Sequence, residues 1–269
     1  MTASFNQRYG RWAIVTGASS GIGEAFAYAL AARGVPSILV ARNQDSLNRV
    51  ASNVFENHGL ECRTLALDLA DPSFLPSLLD GVCDYDIGLV VGNAAYNPVG
   101  SFTDMPYDMV MRMLDVNTKA NVALANAFIP AFKERGRGGF LLVGSTEAFN
   151  GIPYSAVYSA TKAFVLSFGE ALWGELLGSG VDVSVVLPGA TDTPLLASRD
   201  LGRIKITPMM PGTVAELSLN YLGRGPYIVP GFGNRWGQRV LRRLPRAFLI
   251  KAVAPIMKKI VNNSKQEIG

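Results

Sequence analysis

Trp12-Ala13-Ile14-Val15-Thr16-Gly17-Ala18-Ser19-Ser20-Gly21-Ile22-Gly23 passes from an apolar run into a glycine-rich turn, and the periodicity on either side of that turn decides the fold. Trp12 to Thr16 reads as a short buried strand. Beyond the turn, Ile22, Ala25, Phe26, Ala29 and Leu30 return at helical spacing as far as Arg33, and Gly34-Val35-Pro36 ends the run. The unit repeats. Ser37 to Ala41 is a second apolar run, followed by Leu47, Val50, Val54 and Phe55 at helical spacing up to His58-Gly59. Further strand candidates are Cys62 to Leu67, Ile87 to Val91, Phe140 to Val143, Val183 to Leu187 and Tyr227 to Val229. Helical stretches are expected at Pro72 to Leu79, Tyr107 to Lys133 and Tyr154 to Leu177. Continuous rather than alternating apolar strands, separated by long helices, predict a doubly wound α/β fold with a mostly parallel seven-stranded sheet and helices on both faces.

The 269 residues are enough for a full core, and 49% apolar with 17% charged types excludes a disordered, collagen-like or disulfide-stapled chain. Cys62 and Cys83 lack metal-ligand spacing and His58 is the single histidine, so neither a metal site nor a Ser-His-Asp triad is expected. Met1 to Trp12 is polar, without the apolar centre of a secretory signal, and no apolar run approaches about 18 residues. A reducing, cytoplasmic location is the expectation. No shift in composition divides residues 1–190, which predicts one domain over 1–230. Within it, 189–222 is rich in Pro and Met and reads as an irregular, substrate-covering loop; 231–269 is a basic helical extension.

In an open parallel sheet, ligands bind beyond the carboxyl ends of the strands, where helix N-termini gather. Gly17, Ser19, Ser20, Gly21, Ile22 and Gly23 follow the first strand with the spacing G-x-x-x-G-x-G, a departure from G-x-G-x-x-G. Such a turn lets backbone amides approach a pyrophosphate. After the second strand, Leu39-Val40-Ala41-Arg42 carries no acid to accept from a ribose 2′-hydroxyl, whereas Arg42 can pair with a 2′-phosphate. This favours NADP(H) over NAD(H), with Ser19 and Ser20 as further donors. Asp68, after the third strand, is placed either to accept from an adenine amino group or to cap a helix. Gly92-Asn93-Ala94-Ala95 supplies small residues beside a flat ligand.

Ser145 follows the fifth strand, and Tyr158-Ser159-Ala160-Thr161-Lys162 opens a helical run. Tyr158 and Lys162 stand at i and i+4, on one helix face. A tyrosine of ordinary pKa, about 10, transfers protons poorly at neutral pH unless a cation stabilises its phenolate. Lys162 is positioned to do so.

Taken in order, Gly17/Gly21/Gly23, Asn93-Ala94, Asn117, Ser145, Tyr158/Lys162 and Pro188-Gly189 resemble the short-chain dehydrogenase/reductase family over roughly residues 10–230. The resemblance implies a Rossmann-type fold, a nicotinamide cofactor, and hydride exchange with a carbonyl or secondary alcohol. It implies Tyr158 as the general acid in reduction, Ser145 as the donor holding the substrate oxygen, and Lys162 on the nicotinamide ribose. By the same resemblance Asn117 holds a relay water, while Thr191 and Thr193 contact the carboxamide and nearby phosphates. It also implies a homodimer or homotetramer built on the helices at 107–133 and 154–177. Two positions depart from the family pattern. Ala95 replaces a usual glycine, and Glu147 either meets a polar substrate group or faces solvent. The alternative is a non-catalytic NADP(H)-binding regulator or scaffold, against which the intact Ser145, Tyr158 and Lys162 argue.

Charge is unevenly spread. Leu217 to Gln266 holds ten Lys and Arg and no acid; subtracting these from the net +4 leaves −6 for the rest. Trp236, Val240, Leu241, Leu244, Phe248, Leu249, Val253 and Ile256 recur there at near-helical intervals, with Pro245 and Pro255 expected to break or kink the run. Such a segment packs on the body or a second subunit, or lies on a membrane surface. No nucleic-acid motif accompanies the charge, so no nucleic-acid partner is expected. Similar tails in ketoacyl and hydroxysteroid reductases of the family imply an apolar, acyl or steroid-like substrate. Phe149, Ile152, Tyr154, Leu195, Leu196 and Met209 are the candidate pocket residues.

Overall fold

The computed structural model describes residues 5–197 and 207–266, so part of the expected loop at 189–222 lies outside the described residues. Seven parallel strands form one sheet: β1 (Trp12–Thr16), β2 (Ser37–Ala41), β3 (Arg63–Ala66), β4 (Ile87–Gly92), β5 (Gly138–Val143), β6 (Val181–Val186) and β7 (Tyr227–Ile228). Their order is β3-β2-β1-β4-β5-β6-β7, so the chain reverses direction across the sheet between β1 and β4. The expected fold class is the one observed.

Before β1 lies α1 (Phe5–Tyr9). α2 (Gly21–Ala31), α3 (Gln44–His58) and α4 (Phe74–Val82) follow the first three strands. α5 (Tyr107–Leu114) and α6 (Ala120–Glu134) lead to β5, and α7 (Ala156–Glu175) leads to β6. α8 (Pro194–Ala197) and α9 (Pro211–Tyr221) precede β7, after which come α10 (Phe232–Leu241) and α11 (Arg246–Gln266).

The two-residue period of the strands builds two cores. Ile14, Val40, Val90, Phe140 and Leu142 point to one face, where Leu78, Leu124, Phe128, Phe132 and Val165 cover them. Val15, Leu39, Val91 and Leu141 point to the other, under Phe26, Leu30, Leu47, Val50 and Leu219. At about 25 cal/mol per Å² of apolar surface, this two-sided burial is the main term holding the body together.

Three expectations are corrected. The stretch at 107–133 is not one uniform helix: Asp115–Lys119 forms a π turn between α5 and α6, because Asn117 in that turn reaches sideways to the backbone of Tyr96. The stretch at 189–222 is not irregular throughout. Pro211 starts α9, which buries Val214, Ala215 and Leu219 in the core it shares with α2. Pro245 does separate α10 from α11, but Pro255 sits inside α11, whose far end is anchored by buried Ile260 and Val261.

Candidate active site

The sheet gathers the sequence-predicted residues at the carboxyl ends of β1, β2, β4, β5 and β6. In the glycine turn, Gly17 and Gly21 take φ of +64° and +58°, which side-chain-bearing residues rarely adopt. A Cβ on Gly23 would stand 2.1 Å from the Gly17 carbonyl oxygen, so only glycine lets α2 approach this closely. Ser20, at the N-cap of α2, makes no side-chain cap bond and leaves first-turn amides, with Ile22 among them, open to an anion. Asn93 braces this turn. Its Nδ2 donates to the Thr16 and Gly17 carbonyls at 2.9 and 3.2 Å, and Thr16 Oγ1 accepts from the Asn93 and Ala94 amides. Thr193 lies against the same turn, its Cγ2 3.0 Å from where a Gly21 Cβ would be. These features fit the pyrophosphate of a dinucleotide.

Arg42 is exposed just past β2, and of the two serines in the glycine turn Ser20 is exposed and Ser19 half-buried. Arg49 of α3 escapes a reading of the sequence, since nothing marks a mid-helix arginine: it donates to the Ser19 carbonyl at 3.1 Å and pairs with Glu24 at 2.8 Å. Asp68 does not cap a helix, because Ser73 stands at the N-cap of α4. Its carboxylate accepts from Arg112 of α5 at 2.5 Å and from the Ala70 amide at 3.0 Å. Burial pushes its pKa up, but these bonds and the charges of Arg112 and Arg42 hold it below the usual carboxylate range.

Asn117 is fully buried. Its Oδ1 accepts from the Tyr96 amide at 2.8 Å, while its Nδ2 donates to the Tyr96 carbonyl at 3.0 Å and to Thr161 Oγ1 at 3.1 Å. Its own carbonyl accepts from Asn121 Nδ2 at 2.8 Å. The side chain thus ties the loop after β4 to α7. Tyr96, Thr161 and Asn121 carry no sequence signal, because their partners lie in other elements.

Tyr158 and Lys162 share the inner face of α7, 7% and 2% exposed. The Lys162 ammonium lies 5.5 Å from the centre of the Tyr158 ring and donates to the Val143 carbonyl at 2.8 Å, which leaves two N–H donors for a ligand. Burial lowers its pKa to about 8, against the raising influence of Glu147. Ser145 Oγ accepts from the Glu147 amide at 3.1 Å, which frees the Ser145 hydroxyl to donate. Glu147 is not simply solvated: its Oε2 accepts from Ser155 and Ser159 hydroxyls at 2.9 and 3.1 Å, joining the Ser145 turn to the start of α7.

After β6, the Pro188 carbonyl accepts from the Thr146 amide at 3.0 Å, Thr191 Oγ1 donates to the Gly189 carbonyl at 3.1 Å, and Thr191 bridges Met209. Of the apolar candidates, Ile152 lines a cavity of about 130 Å³ whose far wall is α10 and α11, while Phe149 is buried under Arg242. Tyr154, beside Ile152, holds a strained φ of +64°. Leu195 is exposed. A larger cavity, about 650 Å³, runs along the outer side of α2 from Ser20 to Glu216 and includes none of Ser145, Tyr158 and Lys162.

Residues 11–203 match the family described as short chain dehydrogenase. A 7beta-hydroxysteroid dehydrogenase of Clostridium sardiniense is 35% identical over 71% of this chain and 73% of its own length. A very-long-chain 3-oxoacyl-CoA reductase of Mus musculus is 33% identical over 70% of this chain, though the match takes in 62% of that protein, under two thirds of its length. Among solved structures, a short-chain dehydrogenase from Sphingobium yanoikuyae in complex with NADPH superposes with a TM-score of 0.75 at 29% identity, over 88% of this chain and 97% of its own.

Proposed function

This chain belongs to the short-chain dehydrogenase/reductase family, and from that premise we propose that Ser145, Tyr158 and Lys162 carry NADP(H)-dependent interconversion of a carbonyl and a secondary alcohol. The substrate we assign is apolar, of the fused-ring or acyl kind. When bound, the nicotinamide supplies the hydride in reduction and takes it up in oxidation. Tyr158 donates a proton from its hydroxyl to the carbonyl oxygen, and Ser145 holds that oxygen with its free O–H. Lys162 lends the ribose hydroxyls its two remaining donors and stabilises the Tyr158 phenolate. Gly17, Gly21, Ile22 and Gly23 hold the pyrophosphate, and Arg42 with Ser19 and Ser20 holds the 2′-phosphate. Asp68 borders the adenine, and Pro188, Gly189, Thr191 and Thr193 border the nicotinamide end. Asn93 and Asn117 position these groups, Asn117 by fixing α7 and the relay beside it.

The observation that carries the reading is the buried Lys162 ammonium beside Tyr158, a costly arrangement unless a ligand uses it. Loss of NADPH absorbance over a panel of cyclic ketones, steroid ketones and 3-oxoacyl thioesters, with NADH in parallel, tests it. Turnover with NADPH preferred supports the assignment; tight NADPH binding with no ketone reduced across the panel counts against it.

The body and the extension each leave apolar side chains at the surface. We assign a homo-oligomer contact to the outer faces of α5 and α7, where Tyr107 and Phe164 are exposed. We assign peripheral contact with anionic lipid to α10 and α11, where exposed Phe232, Trp236 and Phe248 alternate with exposed Arg235, Arg239 and Arg243. Among the described residues no helix is long and apolar enough to cross a membrane.

A further inference from the structure

Ser145 and Tyr158 reach the site from different elements, and a carboxylate ties one element to the other. Glu147, half-buried in the 3₁₀ turn Thr146–Phe149, accepts at Oε2 from the Ser155 hydroxyl at 2.9 Å and the Ser159 hydroxyl at 3.1 Å. Both serines are 2% exposed. Ser155 stands at the N-cap of α7 without a side-chain cap bond, its hydroxyl turned to Glu147. Ser159 Oγ accepts from the Ile152 amide at 3.2 Å while donating to the same carboxylate. Glu147 thus holds Ser145 through its backbone amide and the first turn of α7 through its side chain. Ser159 follows Tyr158 and precedes Lys162 by three residues, so the charge held against it stands about one helical turn from the buried ammonium. That charge raises the Lys162 pKa against the effect of burial. From the elements packed on α7, Arg112 pairs with Asp68, Asp115 with Lys119 and Asp182 with Arg8, Tyr227 accepts from Arg242, and Tyr107 and Asp108 are exposed.

We propose that Glu147 is a positioning residue for the reaction: it fixes the Ser145 turn against the helix that carries Tyr158, and its negative charge keeps Lys162 an ammonium ion. This role rests on the oxidoreductase reading for what Ser145, Tyr158 and Lys162 do. Two properties of Glu147 act separately. Its length spans the gap to both serines, and a misplacement of about 1 Å between reacting groups costs on the order of a hundredfold in rate. Its charge acts on Lys162 through a poorly solvated interior, where an opposite charge favours the ionised form by about one pH unit or more. With the Lys162 pKa at about 8, the ammonium has little margin above neutral pH. Without the carboxylate, about half the molecules at pH 7 would carry a neutral amine beside Tyr158.

Fluorescence titration of NADPH across pH tests the charge without turnover. The ammonium attracts the anionic cofactor, so affinity in the native chain is expected to stay level up to about pH 8 and to weaken above it, approaching tenfold per pH unit for one linked proton. Lys162→Met assigns this break, which is expected to vanish there. Glu147→Gln keeps the side-chain length and an acceptor for the serines but loses the charge, and its break is expected about one pH unit lower. Glu147→Asp keeps the charge and is one methylene short: its break is expected near the native place, with kcat down by about tenfold or more. A break unmoved in Glu147→Gln, a break displaced equally in both variants, or full kcat in Glu147→Asp overturns the proposal. Should Glu147→Gln fail to fold, the break and kcat of Glu147→Asp decide. A native chain that shows no break, or the same break in Lys162→Met, sinks the oxidoreductase reading and this role with it; a native break that belongs to Lys162 and ignores Glu147 sinks this role alone.

Discussion

β1, β4 and β5 send alternate side chains into two closed cores, whereas α10 buries none of its residues fully and α11 leaves Phe248 and Ile256 exposed among cations. In the body, both faces of the sheet are closed, and among the buried polar side chains Asn117, Thr161 and Lys162 lie at the site, with Lys162 the one that carries a charge. In the extension, apolar and basic side chains share the surface from Arg235 to Lys259 with no acid among them. The difference separates two kinds of functional signal. A buried charge in a well-packed body points inward, to chemistry; apolar surface beside unbalanced charge points outward, to contact.

Tyr158→Phe breaks the first half of this comparison most sharply. The substitution removes one oxygen and little volume, so the core around α7 is expected to survive. Positioned proton transfer is worth about 10²- to 10⁴-fold, and a loss of that size in kcat, with NADPH affinity within about twofold of native, is the expected result. Steady-state rates together with fluorescence titration of NADPH check it. An active Tyr158→Phe enzyme would remove Tyr158 from the chemistry.

Lys162→Met tests whether function at this site is held against stability. The folded pKa of Lys162, about 8, lies below its value of about 10.4 in an unfolded chain. The penalty for burying its charge is therefore fully present below about pH 8 and fades as pH rises toward 10.4; it is on the order of 3 kcal/mol. Thermal unfolding of the ligand-free variant at pH 7 is expected to occur at a higher temperature than that of the native chain, with the gap closing above pH 9. Activity is expected to move the other way and fall by at least about tenfold. A less stable and fully active variant would overturn both parts.

The body is readable for the reason that it is stable. Continuous strands such as Ile87-Gly88-Leu89-Val90-Val91 announce two-sided burial, and Tyr158 and Lys162 share a face because four residues make about one helical turn. Contact between elements stays hidden. The π turn at Asp115–Lys119 depends on Tyr96, twenty-one residues upstream of Asn117, and Glu147 finds its partners only after α7 folds back beside it. α9 reads as loop in the sequence because Gly212, Thr213 and Ser218 blur an apolar face that only the packing against α2 reveals. Asp68 offers two plausible local roles, and the structure gives it an ion pair with Arg112 from another helix. Local periods are written in sequence; partnerships across the sheet are not.

A smaller effect, still within the body, is expected at Arg42. The residue lies past the end of β2 and outside both cores, so the fold does not depend on it, and Arg42→Ala is expected to leave the unfolding temperature unchanged. A charge-assisted bond to a 2′-phosphate is worth about 1.5–3 kcal/mol, so the preference for NADPH over NADH is expected to fall by about ten- to a hundredfold. An unchanged cofactor ratio would assign phosphate recognition elsewhere, with Arg49 the next group to test because its guanidinium already reaches Ser19.

The smallest effect is expected in the extension, and it belongs to contact alone. Arg242 and Arg246 are engaged with the body, the first over the Phe149 ring at 4.5 Å and the second on the Phe149 carbonyl at 3.1 Å, so neither isolates surface charge. Arg239 and Arg243 are exposed on the same segment, and neither side chain forms an ion pair among the described residues. Each cation near an anionic leaflet contributes about 1 kcal/mol, which salt screens within about a Debye length. Arg239→Glu combined with Arg243→Glu is therefore expected to weaken sedimentation with phosphatidylserine vesicles by one to two orders of magnitude at low salt, and by little at high salt. If the native chain does not sediment with such vesicles at low salt, the charged surface of α10 and α11 serves a contact with protein, and the exposed Trp236 and Phe248 become the residues to map it.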